Sequence, residues 1–449
     1  MADQQSTICA IATPPGRGGI GIIRISGPDA PSIARTLTGL EPVPRQAMYC
    51  SFRDREGNNI DSGIMLYFNA PGSYTGEHVI ELQGHGGQVV LNMLQRRVVE
   101  LGASHARPGE FTERAFLNHK LDLIQAEAVV DLIDSVSEQA ARCAHRSLQG
   151  EFSDRVNALL EALINLRVYV EGALDFPEEE VDFFADDTVS ARTSACLESV
   201  EKILAGARYG RILNEGIQAA IIGRPNVGKS SLLNRLSRSD RAIVTEIPGT
   251  TRDVVQDRIL VKGVAVTVSD TAGIRETADR IEREGIHRAL GETEKADIVL
   301  LVLEHHNDQD DIRYLRAKLK GAGKAIIVRN KIDLIPDEPR CAIEAGVPHV
   351  YLSAKTGAGL DLLEDMILKS VAEESSEENT VLARERHIDA LARVRGHLQA
   401  GLAVVEQGRS SELLAAELQE AQQSLSSITG EFVADDLLGE IFSRFCIGK

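Results

Sequence analysis

Short apolar runs alternate with glycine-rich turns in the first part of the chain. Two of these runs, Gly21–Ile25 and Ile64–Phe68, have the composition of β-strands. One longer stretch, Gln88–Leu101, has apolar positions at helical spacing. We therefore expect a small α/β domain over residues 1–118.

From Leu121 to about Leu174 the apolar spacing is helical, and glycine and proline become scarce. We expect the first half of a helical domain over residues 119–215. An acidic stretch within it, residues 178–187, is interpreted as a solvated loop. A second glycine-poor region predicts the other half over residues 375–449.

The sequence pattern changes over residues 216–374, where short apolar runs typical of buried β-strands alternate with predicted helices. The runs are Ala219–Ile222, Val264–Val268, Ile298–Leu303, Ala325–Val328 and His349–Leu352. That rhythm predicts a mostly parallel, doubly wound sheet. The simplest architecture inserts this α/β domain into the helical domain, whose halves precede and follow it.

Composition excludes several classes of protein. The chain has 449 residues, enough for roughly three domains, and contains no apolar run that predicts a membrane span. The polar N-terminus does not resemble a secretory signal, so we expect a cytoplasmic protein. A net charge of -18 argues against a protein that coats nucleic acid, and an RNA partner would need a local basic patch.

The six cysteines lie far apart without a C-x-x-C pair, which indicates neither a zinc site nor a disulfide framework. We expect five of them to be small core residues. The sixth, Cys446, lies close to Lys449, whose charge could favour a thiolate. Packing of Cys446 against the helical domain is the alternative, and the sequence leaves both open.

A phosphate-binding motif lies in the α/β domain. Residues Gly223–Ser230 fit G-x-x-x-x-G-K-[ST], follow a predicted strand and precede a predicted helix that starts near Ser231. In such loops the backbone N–H groups surround phosphates, Lys229 contacts the β- and γ-phosphates, and Ser230 ligates Mg²⁺.

Two further segments complete the phosphate end of the predicted site. Asp270, at the end of a β run, can hold the magnesium shell, and Gly273 can face the γ-phosphate. Thr251, in the loop between the motifs, can ligate Mg²⁺ when a γ-phosphate is present, which would make that loop a switch.

The base end follows the later strands. Asp333 in Asn330–Asp333 can accept the ring N–H and the exocyclic amino group of guanine, and Ser353–Lys355 closes the pocket against the base. Together these motifs predict a GTP site and a GTP hydrolase. Its predicted contacts are Asn226, Val227, Gly228, Lys229, Ser230, Ser231, Thr245, Glu246, Ile247, Pro248, Gly249, Thr250, Thr251, Asp270, Thr271, Ala272, Gly273, Asn330, Lys331, Ile332, Asp333, Ser353, Ala354 and Lys355.

Ile274 stands where Ras-like GTPases carry the glutamine that orients the attacking water. Because isoleucine cannot hydrogen-bond water, another group must do so. The candidate carboxylates nearby are Glu276, Glu282 and Glu284. Arg252 and Arg275 are candidates for stabilising the charge that develops, and solvated surface charge is the alternative for both.

Two glycine clusters lie outside this site. Gly16–Gly21 fits G-x-G-x-x-G, but a β-like run follows it rather than a helix, so we reject a dinucleotide fold. Gly84–Gly87 follows a β run and opens a helix, which suits either an anion site or a tight turn.

Segments from both ends and the middle of the chain together resemble one family, the tRNA modification GTPases of the MnmE (TrmE) type. Besides the GTPase core, the segments that carry the resemblance are Ala12–Gly19, Glu81–Gly87, Arg107–Thr112 and Cys446–Lys449. The resemblance implies a homodimer formed through an N-terminal domain similar to tetrahydrofolate-binding domains. It implies that the GTPase domain is inserted in a helical domain.

The resemblance also implies a reaction. With the flavoprotein MnmG (GidA), such a protein adds a carboxymethylaminomethyl or aminomethyl group to the wobble uridine of certain tRNAs, with a folate as one-carbon donor. The positions that match the family's site for 5-formyl-tetrahydrofolate or a related folate are Arg24, Glu81, Lys120 and Lys449.

The family further resembles potassium-activated GTPases. By that likeness Asn226, Thr245, Ile247 and Thr250 would ligate K⁺, which can act in place of an arginine finger. Glu282 matches the glutamate that orients water through a bridging water, and with Lys229 and Asp270 it forms the implied catalytic set.

Two other functions remain as alternatives. One is a GTP-dependent assembly factor, or switch, without modifying activity, which the acidic charge and the absence of a basic RNA domain disfavour. The other is a self-sufficient folate enzyme that uses GTP only for regulation.

Overall fold

A computed structural model describes residues 6–175, 187–223, 226–239, 256–270, 296–304, 324–335, 337–344, 346–371, 380–407, 411–430, 435–443, 445, 446 and 448. The chain folds into two compact units, Met1–Val130 with Ser426–Lys449, and Asp131–Leu425. It leaves the first unit within helix α4 (Leu123–Asp134) and returns to it within α11 (Ser411–Thr429). The predicted domain boundaries stay a prediction.

The first unit contains a six-stranded sheet with the order β3-β4-β5-β2-β1-β6. Its strands are β1 (Ile8–Ile11), β2 (Gly18–Ser26), β3 (Met48–Arg53), β4 (Asn59–Phe68), β5 (Val79–Gly86) and β6 (Ser104–His105). All neighbours are antiparallel except β1 and β6. The predicted run Gly21–Ile25 lies in β2. This strand begins within Gly16–Gly21, where a dinucleotide-binding motif would lead into a helix, which agrees with the rejection of a dinucleotide fold.

One face of this sheet packs against helices, since alternate residues such as Ile23, Ile25 and Leu82 are fully buried. The helices of this unit are α1 (Ala30–Thr38), α2 (Gln88–Glu100), α3 (Glu110–Leu117) and α12 (Asp435–Ser443). The predicted helix Gln88–Leu101 is therefore confirmed. Phe442 on α12 packs with Phe116 and Leu123, which anchors the end of the chain to this unit.

Long helices make up one part of the second unit. They are α5 (Glu138–Leu148), α6 (Glu151–Asp175), α7 (Asp187–Glu215) and α10 (Glu385–Glu406), together with most of α11. On α6, Leu159, Leu163 and Leu166 are buried at helical spacing, as the sequence pattern predicts. Of the acidic stretch interpreted as a loop, only Asp187 belongs to the described residues, and it begins α7. No helix in the described ranges is both long and apolar enough to cross a membrane.

The other part of the second unit is a seven-stranded sheet with the order β12-β13-β11-β10-β7-β9-β8. Its strands are β7 (Ile217–Ile222), β8 (Gln256–Val261), β9 (Val264–Asp270), β10 (Ile298–Glu304), β11 (Lys324–Asn330), β12 (Arg340–Glu344) and β13 (Val347–Tyr351). The five central strands are parallel, and the edge strands β8 and β12 are antiparallel. Helices α8 (Lys229–Ser239) and α9 (Leu360–Val371) pack on this sheet. The mostly parallel, doubly wound sheet is confirmed.

The two segments that join the α/β part to the long helices lie side by side. A Cβ atom added at Gly210 of α7 would lie 1.8 Å from the carbonyl oxygen of Val381, so the backbone of 380–384 crosses α7 at that glycine. Arg146 donates a hydrogen bond to the carbonyl of Thr380 at 3.0 Å. These contacts hold the entry and exit of the α/β part together.

The cysteines correct one expectation. Cys9, Cys50, Cys143 and Cys196 are buried, as predicted, but Cys341 is exposed. Its position is on β12, an edge strand whose residues are all at least partly accessible. The core prediction was therefore wrong for Cys341.

Candidate functional site

The phosphate loop connects β7 to α8 at the centre of the parallel sheet, where strands in such folds present ligand sites. Asn226 and Gly228 both have positive φ angles, 65° and 100°. A Cβ atom at Gly228 would lie 2.2 Å from Nδ2 of Asn330, so only glycine fits there. Lys229 begins α8 and its Nζ donates to the carbonyl of Gly223 at 2.8 Å.

Asn330 joins this loop to the loop after β13. Its side chain is buried, Nδ2 donates to the carbonyl of Val227 at 2.8 Å, and Oδ1 accepts from the backbone N–H of Ala354 at 2.9 Å. One amide thus connects the phosphate loop, the end of β11 and the Ser353–Lys355 loop. Sequence reasoning placed Asn330 at the site but did not predict this bridging role.

The predicted base-binding end is assembled at the same edge of the sheet. Ser353 is fully buried and its hydroxyl donates to Oδ1 of Asp333 at 2.6 Å. The exposed Asp333 carboxylate remains accessible as an acceptor for a ligand. Lys331 forms an ion pair with Glu304, Ile332 is buried, and Lys355 is exposed.

The remaining predicted nucleotide contacts are described only in part. Ser230 and Ser231 lie in the first turn of α8 and are exposed, where a helix N-terminus favours a bound anion. Asp270 ends β9 and pairs in register with Ile221 of β7, which places it beside the strand that leads into the phosphate loop. The predicted residues outside the described ranges are Thr245, Glu246, Ile247, Pro248, Gly249, Thr250, Thr251, Thr271, Ala272, Gly273, Ile274, Glu282 and Lys449, as well as Arg252, Arg275, Glu276 and Glu284.

Two of the positions matched to a folate site are neighbours in the first unit. Arg24 on β2 and Glu81 on β5 pair in register, and the guanidinium contacts the carboxylate at 2.9 and 3.0 Å. Arg24 also donates to the carbonyl of Gly448 at 3.1 Å, next to Lys449 in sequence. Lys120 donates to the carbonyl of Pro71 at 3.2 Å.

The segments that carry the family resemblance also meet in this unit. A Cβ atom at Gly448 would lie 2.6 Å from the carbonyl oxygen of Ile11, and one at Gly109 would lie 2.5 Å from that of Phe442. The C-terminal tail therefore packs against β1 and the start of α3. Cys446 is exposed, and its carbonyl accepts a hydrogen bond from the N–H of Gly109 at 3.5 Å.

Gly84–Gly86 form the end of strand β5, and Gly87 alone separates this strand from α2, so the cluster makes a tight strand-to-helix connection. A Cβ atom at Gly86 would lie 2.6 Å from the carbonyl oxygen of Gly18. The carboxylate of Asp61 accepts from the backbone N–H of His85 at 2.7 Å and from its ring Nδ1 at 2.8 Å. Burial raises the pKa of Asp61, but the hydrogen bonds from His85 outweigh it and the pKa is lowered. Because the Asp61 carboxylate already accepts the backbone N–H of His85, the tight strand-to-helix connection is favoured over an anion site.

The parallel sheet, the glycine loop before α8 and the base loop after β13 define a P-loop nucleotide-binding protein.

Comparisons with known proteins extend this assignment. Residues 7–120 match the family model described as GTP-binding protein TrmE N-terminus, and residues 123–446 match the MnmE helical domain. A protein of Pasteurella multocida named tRNA modification GTPase MnmE is 51% identical, covering 99% of this chain and 100% of that protein. One of the same name from Marinomonas sp. is 50% identical, covering 100% of this chain and 99% of its own. The chain belongs to the MnmE family of tRNA modification GTPases.

Solved structures resemble parts of the chain. The G domain of the T. maritima FeoB iron transporter is 27% identical with a TM-score of 0.27, and the match covers 35% of this chain and 99% of that domain. Aquifex aeolicus Era bound to GDP and AlF4- is 27% identical with a TM-score of 0.27, covering 40% of this chain and 66% of Era. Each of these two likenesses covers less than half of the chain.

Proposed function

We propose that this GTP hydrolase is activated by potassium and that, with the flavoprotein MnmG, it adds a carboxymethylaminomethyl or aminomethyl group to the wobble uridine of certain tRNAs. Membership of the MnmE family supports the tRNA reaction. The observation that carries the nucleotide part is the Asn330 bridge, which joins the phosphate loop to the base loop. A cytoplasmic location stays a prediction.

Guanine recognition is assigned to Asp333. Its carboxylate is held by the Ser353 hydroxyl at 2.6 Å and stays exposed, so it can accept two N–H groups from the base edge. Adenine does not present that pair of donors. The buried Ser353 thereby fixes an acceptor whose position selects the base.

Phosphate and magnesium contacts are assigned to the start of α8. Lys229 places a cation there, and the exposed hydroxyl of Ser230 is a suitable oxygen ligand for Mg²⁺, with Thr251 as the second protein ligand. Asp270 supports the magnesium shell from the end of β9. The bound metal would supply charge neutralisation at the phosphates.

Potassium activation is assigned to the exposed Asn226, with Thr245, Ile247 and Thr250 as further ligands. A cation there would offset charge that develops between the β- and γ-phosphates, as an arginine finger does in other GTPases. Glu282 is proposed to orient the attacking water, because Ile274 cannot.

A folate site is proposed around Arg24 and Glu81. Their side chains remain 19% and 15% exposed, and Tyr74 and Phe111 lie beside the guanidinium at 5.9 and 5.8 Å. The accessible part of this charged pair, with the partly exposed ring of Tyr74 beside it, fits a ligand with a flat ring and polar edge groups, whereas Phe111 is fully buried and contacts the guanidinium from within the core. Lys120 and Lys449 would hold other parts of the folate. We further propose a homodimer formed through residues 1–118, with the GTPase domain at 216–374 inserted between helical halves at 119–215 and 375–449.

The tRNA reaction is tested by the modified nucleosides of tRNA from cells that lack this protein. We expect the wobble uridines to lose the carboxymethylaminomethyl and aminomethyl groups, and re-expression of the wild-type chain to restore them. Unchanged wobble uridines would contradict the proposal and favour a GTP-dependent switch without modifying activity.

The potassium site is tested by hydrolysis rates in KCl and NaCl. We expect Asn226→Ala to retain GDP binding and to lose the faster turnover in KCl. Equal stimulation by K⁺ in the variant and the wild type would show that Asn226 is not a ligand.

A further inference from the structure

Arg235 links the helix that follows the phosphate loop to the loop that closes on the base. It lies on α8, six positions after Lys229, and its Nη2 donates to the carbonyl of Thr356 at 2.9 Å. The bond connects an element anchored at the phosphates to the segment that follows Lys355. None of the nucleotide-binding motifs includes Arg235.

The backbone at Gly357 leaves space for the guanidinium of Arg235. Its φ angle is 92°, and a Cβ atom there would lie 2.7 Å from Nη2 and 3.1 Å from Nε of Arg235. The guanidinium therefore rests directly on the backbone of Gly357. A side chain at 357 would displace it, and only glycine adopts this φ without strain.

Hydrogen bonds within the loop fix its local shape. The N–H of Gly357 donates to the carbonyl of Ser353 at 2.8 Å, and that of Ser353 donates to the carbonyl of Ala358 at 2.9 Å. The contacts from Asn330 and Asp333 come from the end of β11 and from the short 3-10 helix that follows it, Ile332–Leu334. Arg235 contacts the loop from α8, on a different side. The contacts from Asn330 and Asp333 alone would let the loop tilt, and the bond from Arg235 restrains that movement.

We propose that Arg235 is a positioning residue for guanine-nucleotide retention, which acts by fixing the Ser353–Ala358 loop against α8. The inference rests on the proposed nucleotide function. The guanidinium contacts the loop backbone at Thr356 and Gly357, so its loss changes how long the nucleotide stays bound. It leaves the chemistry of the γ-phosphate unchanged.

The test uses the full chain and mant-GDP, with dissociation followed by stopped-flow fluorescence on chase with GDP. For Arg235→Ala we expect mant-GDP to dissociate about five- to tenfold faster, because the variant loses one half-exposed, charge-assisted hydrogen bond. Arg235→Lys retains a hydrogen-bond donor, so its dissociation rate should lie between those of Arg235→Ala and the wild type. Single-turnover hydrolysis of bound GTP should be unchanged.

Asn234→Ala is the matched control, because Asn234 is the exposed neighbour on the same helix. It should release mant-GDP at the wild-type rate. Wild-type dissociation in Arg235→Ala would overturn the inference while leaving the nucleotide site intact. A lowered melting temperature with an equal fall in hydrolysis would also overturn it, because a general structural role predicts both. A wild-type chain that does not bind mant-GDP would instead overturn the proposed function.

Discussion

Replacement of Asn330 by alanine removes both bonds of the bridge, to the Val227 carbonyl at 2.8 Å and from the Ala354 N–H at 2.9 Å. Each neutral hydrogen bond contributes a net ~1 kcal/mol to stability, and a buried group left without a partner costs more. Asn330 is 2% exposed, so water cannot easily replace the lost partners. We expect a loss of about 2–4 kcal/mol in the free energy of unfolding, which corresponds to a melting temperature lowered by about 5–10 °C.

The measurement is thermal unfolding with and without GDP, together with mant-GDP titration. GDP affinity should fall by at least about tenfold, because the two loops are no longer held together. Asn330→Asp keeps the acceptor for the Ala354 N–H but sets an oxygen against the Val227 carbonyl, and we expect it to be no better than alanine. Asn234→Ala should behave as wild type. An Asn330→Ala chain with wild-type melting temperature and GDP affinity would refute the bridging role.

Glycine and cysteine positions give two further predictions. In denaturant titrations, Gly210→Ala should destabilise the second unit by several kcal/mol, because its Cβ would lie 1.8 Å from the Val381 carbonyl oxygen. Gly396→Ala on α10, where the Cβ would meet open space, should stabilise the unit by ~1 kcal/mol. Equal effects of the two alanines would refute the close crossing of α7. In mass-spectrometric alkylation at pH 8, Cys446 should react early and Cys9 last, since burial raises the pKa of the Cys9 thiol to about 12 and the thiolate forms only as the pH rises far above 8. Early labelling of Cys9 in folded protein would contradict its burial.

The central sheet could be predicted from sequence because its strands are buried on both faces. The β10 segment Ile298–Glu304 is buried at every position but the last, and such continuous apolar runs are typical of parallel sheets. The motifs after β7, β11 and β13 could be recognised for the same reason, since each of them follows one of these runs. Parallel strands end at one edge of the sheet, which brings residues distant in sequence together.

The edge strands and the bridging contacts could not be predicted in this way. Residues of β12 are mostly exposed, so no apolar pattern marks them, and Cys341 was wrongly expected in the core. The pairing of Arg24 with Glu81 depends on the register of β2 and β5, which a list of polar residues does not reveal. Arg235 carries no signal because an arginine on a predicted helix face is usually solvated.

Two residues of the candidate site have left-handed backbone conformations, and hydrogen bonds of Asn330 hold their neighbours in place. Asn226 and Lys331 have φ angles of 65° and 68°, a region that asparagine tolerates well and that costs free energy in a lysine. Both residues lie next to positions fixed by the Asn330 bridge, since Val227 follows Asn226 and Lys331 follows Asn330. A bridge that holds these turns in place keeps the phosphate and base loops in one arrangement before a ligand binds. The free energy of nucleotide binding then need not offset the cost of ordering both loops. Removal of the bridge should therefore weaken binding, even though the side chain of Asn330 bonds the protein backbone and not the nucleotide.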